Sequence, residues 1–172
     1  MNMKNIILLI CFTIVLSCNK NDFYWEIYPS KLPCPCNSVS PDFYISSIVI
    51  PGIIENMTSA TPTTKIYQKK ILNFKSNNTY SLTVSTNTND GNVYVFFDWN
   101  KNYIFDSNEL VIKTKPNSKN QVLLDFTVPK DAIIGKSYCR IIYRLYGLNG
   151  FDGPCESMLY GEVEDYMINV ER

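Results

Sequence analysis

Residues 80–99 read Tyr80-Ser81-Leu82-Thr83-Val84-Ser85-Thr86-Asn87-Thr88-Asn89-Asp90-Gly91-Asn92-Val93-Tyr94-Val95-Phe96-Phe97-Asp98-Trp99, and this stretch decides the fold class. Tyr80, Leu82 and Val84 alternate with Ser81, Thr83 and Ser85, so one face is apolar and the other polar, the period of a half-buried strand. Asn87-Thr88-Asn89-Asp90-Gly91 then breaks the pattern with residues that favour turns. Beyond it, Val93, Val95 and Phe97 load one face while Tyr94 and Phe96 load the other, which predicts a central strand covered on both sides.

The same pattern extends outward. Gln121 to Val128 alternates strictly, with Val122, Leu124, Phe126 and Val128 inward, and Tyr138 to Tyr146 and Val163 to Val170 continue it. Weaker candidates are Tyr44 to Ile50, Ile66 to Leu72 and Leu110 to Thr114, while Thr58 to Thr64, which holds Pro62, reads as a loop. No segment of helical period competes. About eight strands predict an all-β fold, a two-sheet antiparallel β-sandwich of jelly-roll or Ig-like kind.

Composition agrees with a packed β protein: 45% of the 172 residues are hydrophobic and 13% aromatic, with 12 Tyr and 9 Phe. Lys plus Arg and Asp plus Glu both number 16, so no excess positive charge is present to neutralise a nucleic-acid backbone. The chain has no His, which removes the commonest general base and any Ser-His or Cys-His nucleophile pair. The composition therefore speaks against an enzyme.

Lys4 followed by the apolar run Ile6 to Leu16 has the form of a signal peptide, too short for a permanent membrane helix. Its end, Val15-Leu16-Ser17-Cys18, resembles the bacterial lipobox. The expected division is a lipoprotein signal peptide at 1–17, a lipidated N-terminus and tether at 18–33, and one sandwich domain at 34–172. Cys18 is the expected lipidation site, the membrane is a partner through that lipid, and the expected location is the cell envelope, at the outer membrane or cell surface. The alternative is an ordinary secretory peptide with an incidental Cys.

In such an oxidising compartment, Cys34, Cys36, Cys139 and Cys155 predict two disulfides. Cys34 and Cys36 are too close for an easy mutual bond. Two connectivities then remain, each tying this Cys-Pro-Cys to Cys139 and Cys155.

Two polar segments are candidates for chemistry. In the first, Asp98, Asn100, Asn102, the Ile104 carbonyl, Asp106 and Glu109 fall at positions 1, 3, 5, 7, 9 and 12 of a calcium-binding loop, where a hard cation needs oxygens. Position 6, usually Gly, is Tyr103, and no helices flank the loop. The alternative is an Asx-rich turn whose side chains bond their own backbone, with Trp99 and Phe105 in the core.

In the second, Gly161-Glu162-Val163-Glu164-Asp165-Tyr166 crowds three carboxylates into four residues. Arg140 and Arg144 lie on one face of a predicted strand and offer an ion-pair network with Glu162, Glu164 and Asp165. A second reading makes Glu162 or Asp165 further calcium ligands. A third, catalytic reading is the weakest, since neighbouring carboxylates on one strand do not flank a substrate. For ligand contact, Tyr24, Trp25, Tyr28 and Tyr146 are candidates, with core packing as the alternative for each.

Gly161 to Tyr166 resembles, letter for letter, the signature of the GEVED-domain family. The likeness extends to Asp98-Trp99-Asn100 with Phe105 and Glu109, to Gly135 before the strand bearing Arg140 and Arg144, and to Pro154-Cys155, and it covers about residues 36 to 171. Two positions depart from the family pattern: Asn102-Tyr103 replaces an acidic-Gly turn, and Ser137-Tyr138-Cys139 stands where an Arg-bearing run is usual. The resemblance implies a β-sandwich module of exported proteins in Bacteroidetes and related bacteria, appended to peptidases, adhesins and surface proteins. It speaks to fold and location rather than mechanism. The expected function is a non-catalytic binding or adhesion module for a glycan, peptide or envelope protein, with calcium shaping its loops. The alternatives are a structural subunit of an envelope assembly and, less well supported, a carboxylate-based hydrolase.

Overall fold

The structure, a computed structural model, describes residues 33–40, 42–57, 65–145 and 153–172. The predicted leader, Cys18 and its tether, the 58–64 loop, Tyr24, Trp25, Tyr28 and Tyr146 lie outside the described residues.

Strands form where apolar alternation was read. In chain order they are β1 (Ser38–Ser40), β2 (Ile45–Ile50), β3 (Ile54–Met57), β4 (Lys65–Lys75), β5 (Thr79–Thr86), β6 (Gly91–Phe97), β7 (Leu110–Thr114), β8 (Gln121–Thr127), β9 (Gly135–Leu145) and β10 (Met158–Glu171). A 3-10 turn, Ser107–Glu109, precedes β7. Every predicted strand is present. The two that were missed, β1 and β3, span 3 and 4 residues, too few for a period of two to show.

The smaller sheet is antiparallel in the order β3-β2-β5-β8. The larger runs β10-β9-β6-β7, and the outer flank of β10 carries both β1 and β4. Those two strands run parallel to β10, with Ser38 opposite Met158 and Ile66 opposite Asp165, so the larger sheet is mixed rather than purely antiparallel. Alternation fixes which face a side chain takes and carries no signal for strand direction.

The main core lies between the sheets. Ile45, Ile48, Leu82, Val84, Val122 and Phe126 of the smaller sheet meet Val93, Val95, Phe97, Ile141, Tyr143 and Ile168 of the larger. Phe97 is central to it, stacked on Phe126 with ring centroids 4.8 Å apart and meeting Phe74 edge-on. Each such side chain contributes about 1.5–3 kcal/mol on burial. A second apolar cluster occupies the outer face of the larger sheet, where Tyr94, Phe96, Tyr138, Ile142 and Val163 are covered by Cys36, Phe105 and Met158. Strand β6 is thus buried on both faces, as its double apolar loading predicted.

Candidate functional site

The motif residues converge on two places, both built on β9. At the first, strand pairing sets Arg140 opposite Asp165. The Arg140 Nε and Nη2 groups donate to the two Asp165 carboxylate oxygens at 2.7 Å each, and both side chains are 1% exposed. Nη1 donates to the Pro154 carbonyl at 2.7 Å and faces the Cys34 sulfur at 3.5 Å, while Nη2 also reaches the Cys34 carbonyl at 2.7 Å. Phe105 lies flat beneath, its ring centre 4.8 Å from the guanidinium carbon. A guanidinium carries five donors in a fixed plane, and this setting occupies all of them. Burial pushes the Asp165 carboxyl above the ordinary carboxylate value, and the hydrogen bonds and charge of Arg140 offset only part of that.

The Arg140 knot sits under a disulfide. Cys34 and Cys155 are bonded, with Cα atoms 5.5 Å apart. The predicted second bridge is not made: Cys36 and Cys139 are buried thiols outside any disulfide. They lie on opposite faces of the larger sheet, Cys139 in the inter-sheet core and Cys36 in the outer cluster, so β9 itself separates them. The Cys36 thiol donates to the Glu156 carbonyl at 2.7 Å, and burial pushes its pKa up to about 11.

The predicted ion-pair network is reduced by the same parity. Asp165 shares a face with Arg140 and Arg144, whereas Glu162 and Glu164 point to the other face, toward the main core. There the Glu162 carboxylate accepts the Ile45 N–H at 2.6 Å, pinning the start of β2 across the sandwich. The Tyr166 hydroxyl donates to the Glu164 carboxylate at 2.5 Å. Gly161 has φ +144°, a backbone shape that L side chains rarely adopt, and a Cβ there would press on the Tyr143 carbonyl oxygen and the Met158 sulfur. Its own carbonyl accepts from the Ser38 hydroxyl of β1. Every polar side chain of the signature therefore has a partner inside the fold, Asp165 through Arg140 and Glu162 through the Ile45 N–H.

The second place is that loop, directly after β6. Asp98, 1% exposed, accepts from the N–H groups of Asn102 and Tyr103 and from the Ser137 hydroxyl at 2.6 Å. The Asn100 and Asn102 side-chain oxygens accept the N–H groups of Asn102 and Ile104, and both amides donate to Asp106. Glu109 caps the 3-10 turn, accepting the N–H groups of Asn100 and Asp106. Lys101 and Tyr103 take φ +56° and +66°, so the sharp turn forms without the usual Gly.

The oxygens expected to face a cation are thus committed to the loop's own amides. Among the described residues no three carboxylate or thiol side chains converge to hold a metal ion. Even so, Asp98 and Glu109 are buried carboxylates with no lysine or arginine partner among the described residues. Burial raises both above their ordinary values, more than their hydrogen bonds lower them.

The sequence reading missed Ser137 as a partner of Asp98 and Ile45 as a partner of Glu162. Neither contact has a local signal, because the partners are separated by 39 and 117 residues.

Compared with models of protein families, the chain matches the one described as GEVED domain over residues 92–169. That span runs from β6 to β10 and takes in the loop, the Arg140 knot and the signature. Comparison with curated proteins and with solved structures gives no match.

Proposed function

We propose that the chain, whose residues 92–169 match the model described as GEVED domain, is a non-catalytic binding or adhesion module of the bacterial cell envelope. Lipid on Cys18 would hold it at the membrane, and a glycan, peptide or envelope protein would be its ligand. One observation carries the non-catalytic part. Glu162, Glu164 and Asp165, the only clustered carboxylates of the signature, are each no more than 1% exposed and engaged inside the fold. A general acid and base must reach the substrate. The Cys34–Cys155 bond supports an exported location, since disulfides persist in oxidising compartments.

The test is paired. Labelling of the full chain with a radioactive fatty acid should be abolished by Cys18→Ala, and the detergent-solubilised chain should retain a glycan or an envelope protein. A stoichiometric protein partner would favour the structural-subunit alternative. Hydrolysis that disappears in Glu164→Gln would favour the enzyme.

Calcium belongs to the same proposal as an ion that shapes a loop. The supporting observation is the pair of buried carboxylates, Asp98 and Glu109, without a basic partner among the described residues. Asp98, Asn100, Asn102, the Ile104 carbonyl, Asp106 and Glu109 would supply hard oxygen ligands, the donor type calcium takes. Its contribution would be charge compensation.

A further inference from the structure

A shallow hollow of about 260 Å³ opens between the 98–109 loop and the turn from Pro129 to Ile133. The Ile133 N–H donates to the Trp99 carbonyl at 2.9 Å, so the two segments are fixed to each other. Trp99 lines the hollow, its ring stacked on Phe97 with centroids 4.5 Å apart. Trp99 is 7% exposed, and its indole N–H has no acceptor among the described residues. A rigid, mostly buried donor without an acceptor among the described residues therefore belongs to a side chain that lines the hollow. Pro129, Ala132 and Ile133 form an apolar wall, while Asn108 and Asp131 stand exposed at the rim with no hydrogen bond or ion pair among the described residues.

Three ligand chemistries can be compared against this lining. An anion would accept from the indole but meet the carboxylates of Asp131 and Glu109, with no Lys or Arg lining the hollow to balance them. A cation would suit those carboxylates and leave the indole N–H facing a positive charge. A hydroxyl both accepts and donates, so adjacent hydroxyls can take the indole N–H and give their own protons to Asp131 and the Asn108 carbonyl. The apolar wall then receives ring C–H groups, the division of polar and apolar contacts found in small-molecule sites. One ring face of Trp99 is covered by Phe97.

We infer that this hollow is a binding site for one neutral sugar unit, oriented by the Trp99 indole N–H, Asn108 and Asp131. The inference rests on the binding-module reading above and names its ligand class and place.

Nuclear magnetic resonance of the full chain tests it. The chain has two Trp, so Trp25→Phe assigns the Trp99 indole N–H resonance. The probes are the methyl glycosides of glucose, galactose, mannose and N-acetylglucosamine, with propylammonium and propionate as charged controls. At least one glycoside should shift the Trp99 resonance saturably and neither control should. Asp131→Ala and Asn108→Ala, both exposed and unpartnered among the described residues, should each keep the fold and weaken that binding, Asp131→Ala by about tenfold. A shift by propylammonium alone, or glycoside binding that leaves Trp99 silent or survives both substitutions, overturns the site. Binding elsewhere would leave the binding-module reading standing. Retention of neither glycan nor envelope protein by the full chain would remove that reading.

Discussion

Arg140 grips both carboxylate oxygens of Asp165 at 2.7 Å in a setting where each side chain is 1% exposed. The same guanidinium holds the carbonyls of Cys34 and Pro154, so one side chain ties the start of the described chain, the approach to β10 and the sheet together. Buried charge pairs owe much of their apparent worth to what remains when one partner is removed. Loss of Asp165 would leave a guanidinium that cannot give up its proton in an apolar cluster.

Gly161 tests the packing of the signature. Gly161→Ala adds a Cβ against the Tyr143 carbonyl at φ +144°, a backbone shape that L side chains rarely adopt. It should destabilise the chain by about 3 kcal/mol or more, or prevent folding. Urea unfolding followed by circular dichroism measures this, and a change below about 0.5 kcal/mol would contradict the described backbone.

Thiol chemistry offers an independent check. Peptide mapping after alkylation without reduction should recover Cys34 linked to Cys155, with Cys36 and Cys139 as alkylated thiols once the chain is unfolded. Closing a loop with a sequence separation of 121, the bond should contribute about 4–5 kcal/mol by chain entropy, so Cys34→Ser with Cys155→Ser should lower stability by an amount up to that. Cys139→Ala should cost far less.

Calcium should raise the melting temperature. In millimolar calcium the Tm of the full chain should exceed that in chelator by about 3 °C or more, and Asp98→Asn should abolish the difference. Equal Tm values in calcium and chelator would leave the 98–109 loop held by its own hydrogen bonds alone.

Acidity should act opposite to the usual direction. Burial raises the carboxyls of Asp98 and Glu109 above ordinary values of 3.8 and 4.5. Between the ordinary and the raised value the folded chain binds more protons than the unfolded one, so these groups add stability as pH falls. That contribution is complete below the ordinary values and is lost as pH rises through the raised ones. In chelator, the urea midpoint should therefore rise as pH falls from neutrality towards the ordinary values. A lower midpoint at the acidic end would overturn these shifts.

Much of the fold was readable because its strands carry a regular period. Tyr80, Leu82 and Val84 announce β5, and the apolar loading of both faces in β6 announced that it would be covered twice. The parallel pairing of β4 with β10 was not readable, since Ile66 and Asp165 meet through long-range register. The residue types of the Arg140 knot were visible, but choosing Asp165 over Glu162 and Glu164 required knowing which parity of β10 faces Arg140. Parity likewise keeps Cys139 from Cys36, a separation that counting cysteines cannot reveal. In the loop the pattern of oxygens was legible, whereas their turn toward Asn102, Tyr103 and Ile104 amides is a matter of local backbone shape.

The most direct test of the claim that the signature builds the fold is the unfolding free energy of Asp165→Asn. A loss of about 3 kcal/mol relative to the unsubstituted chain is expected, because Arg140 would keep its charge and lose its counter-charge. Unchanged stability would contradict the account and return Asp165 to the list of groups available for chemistry.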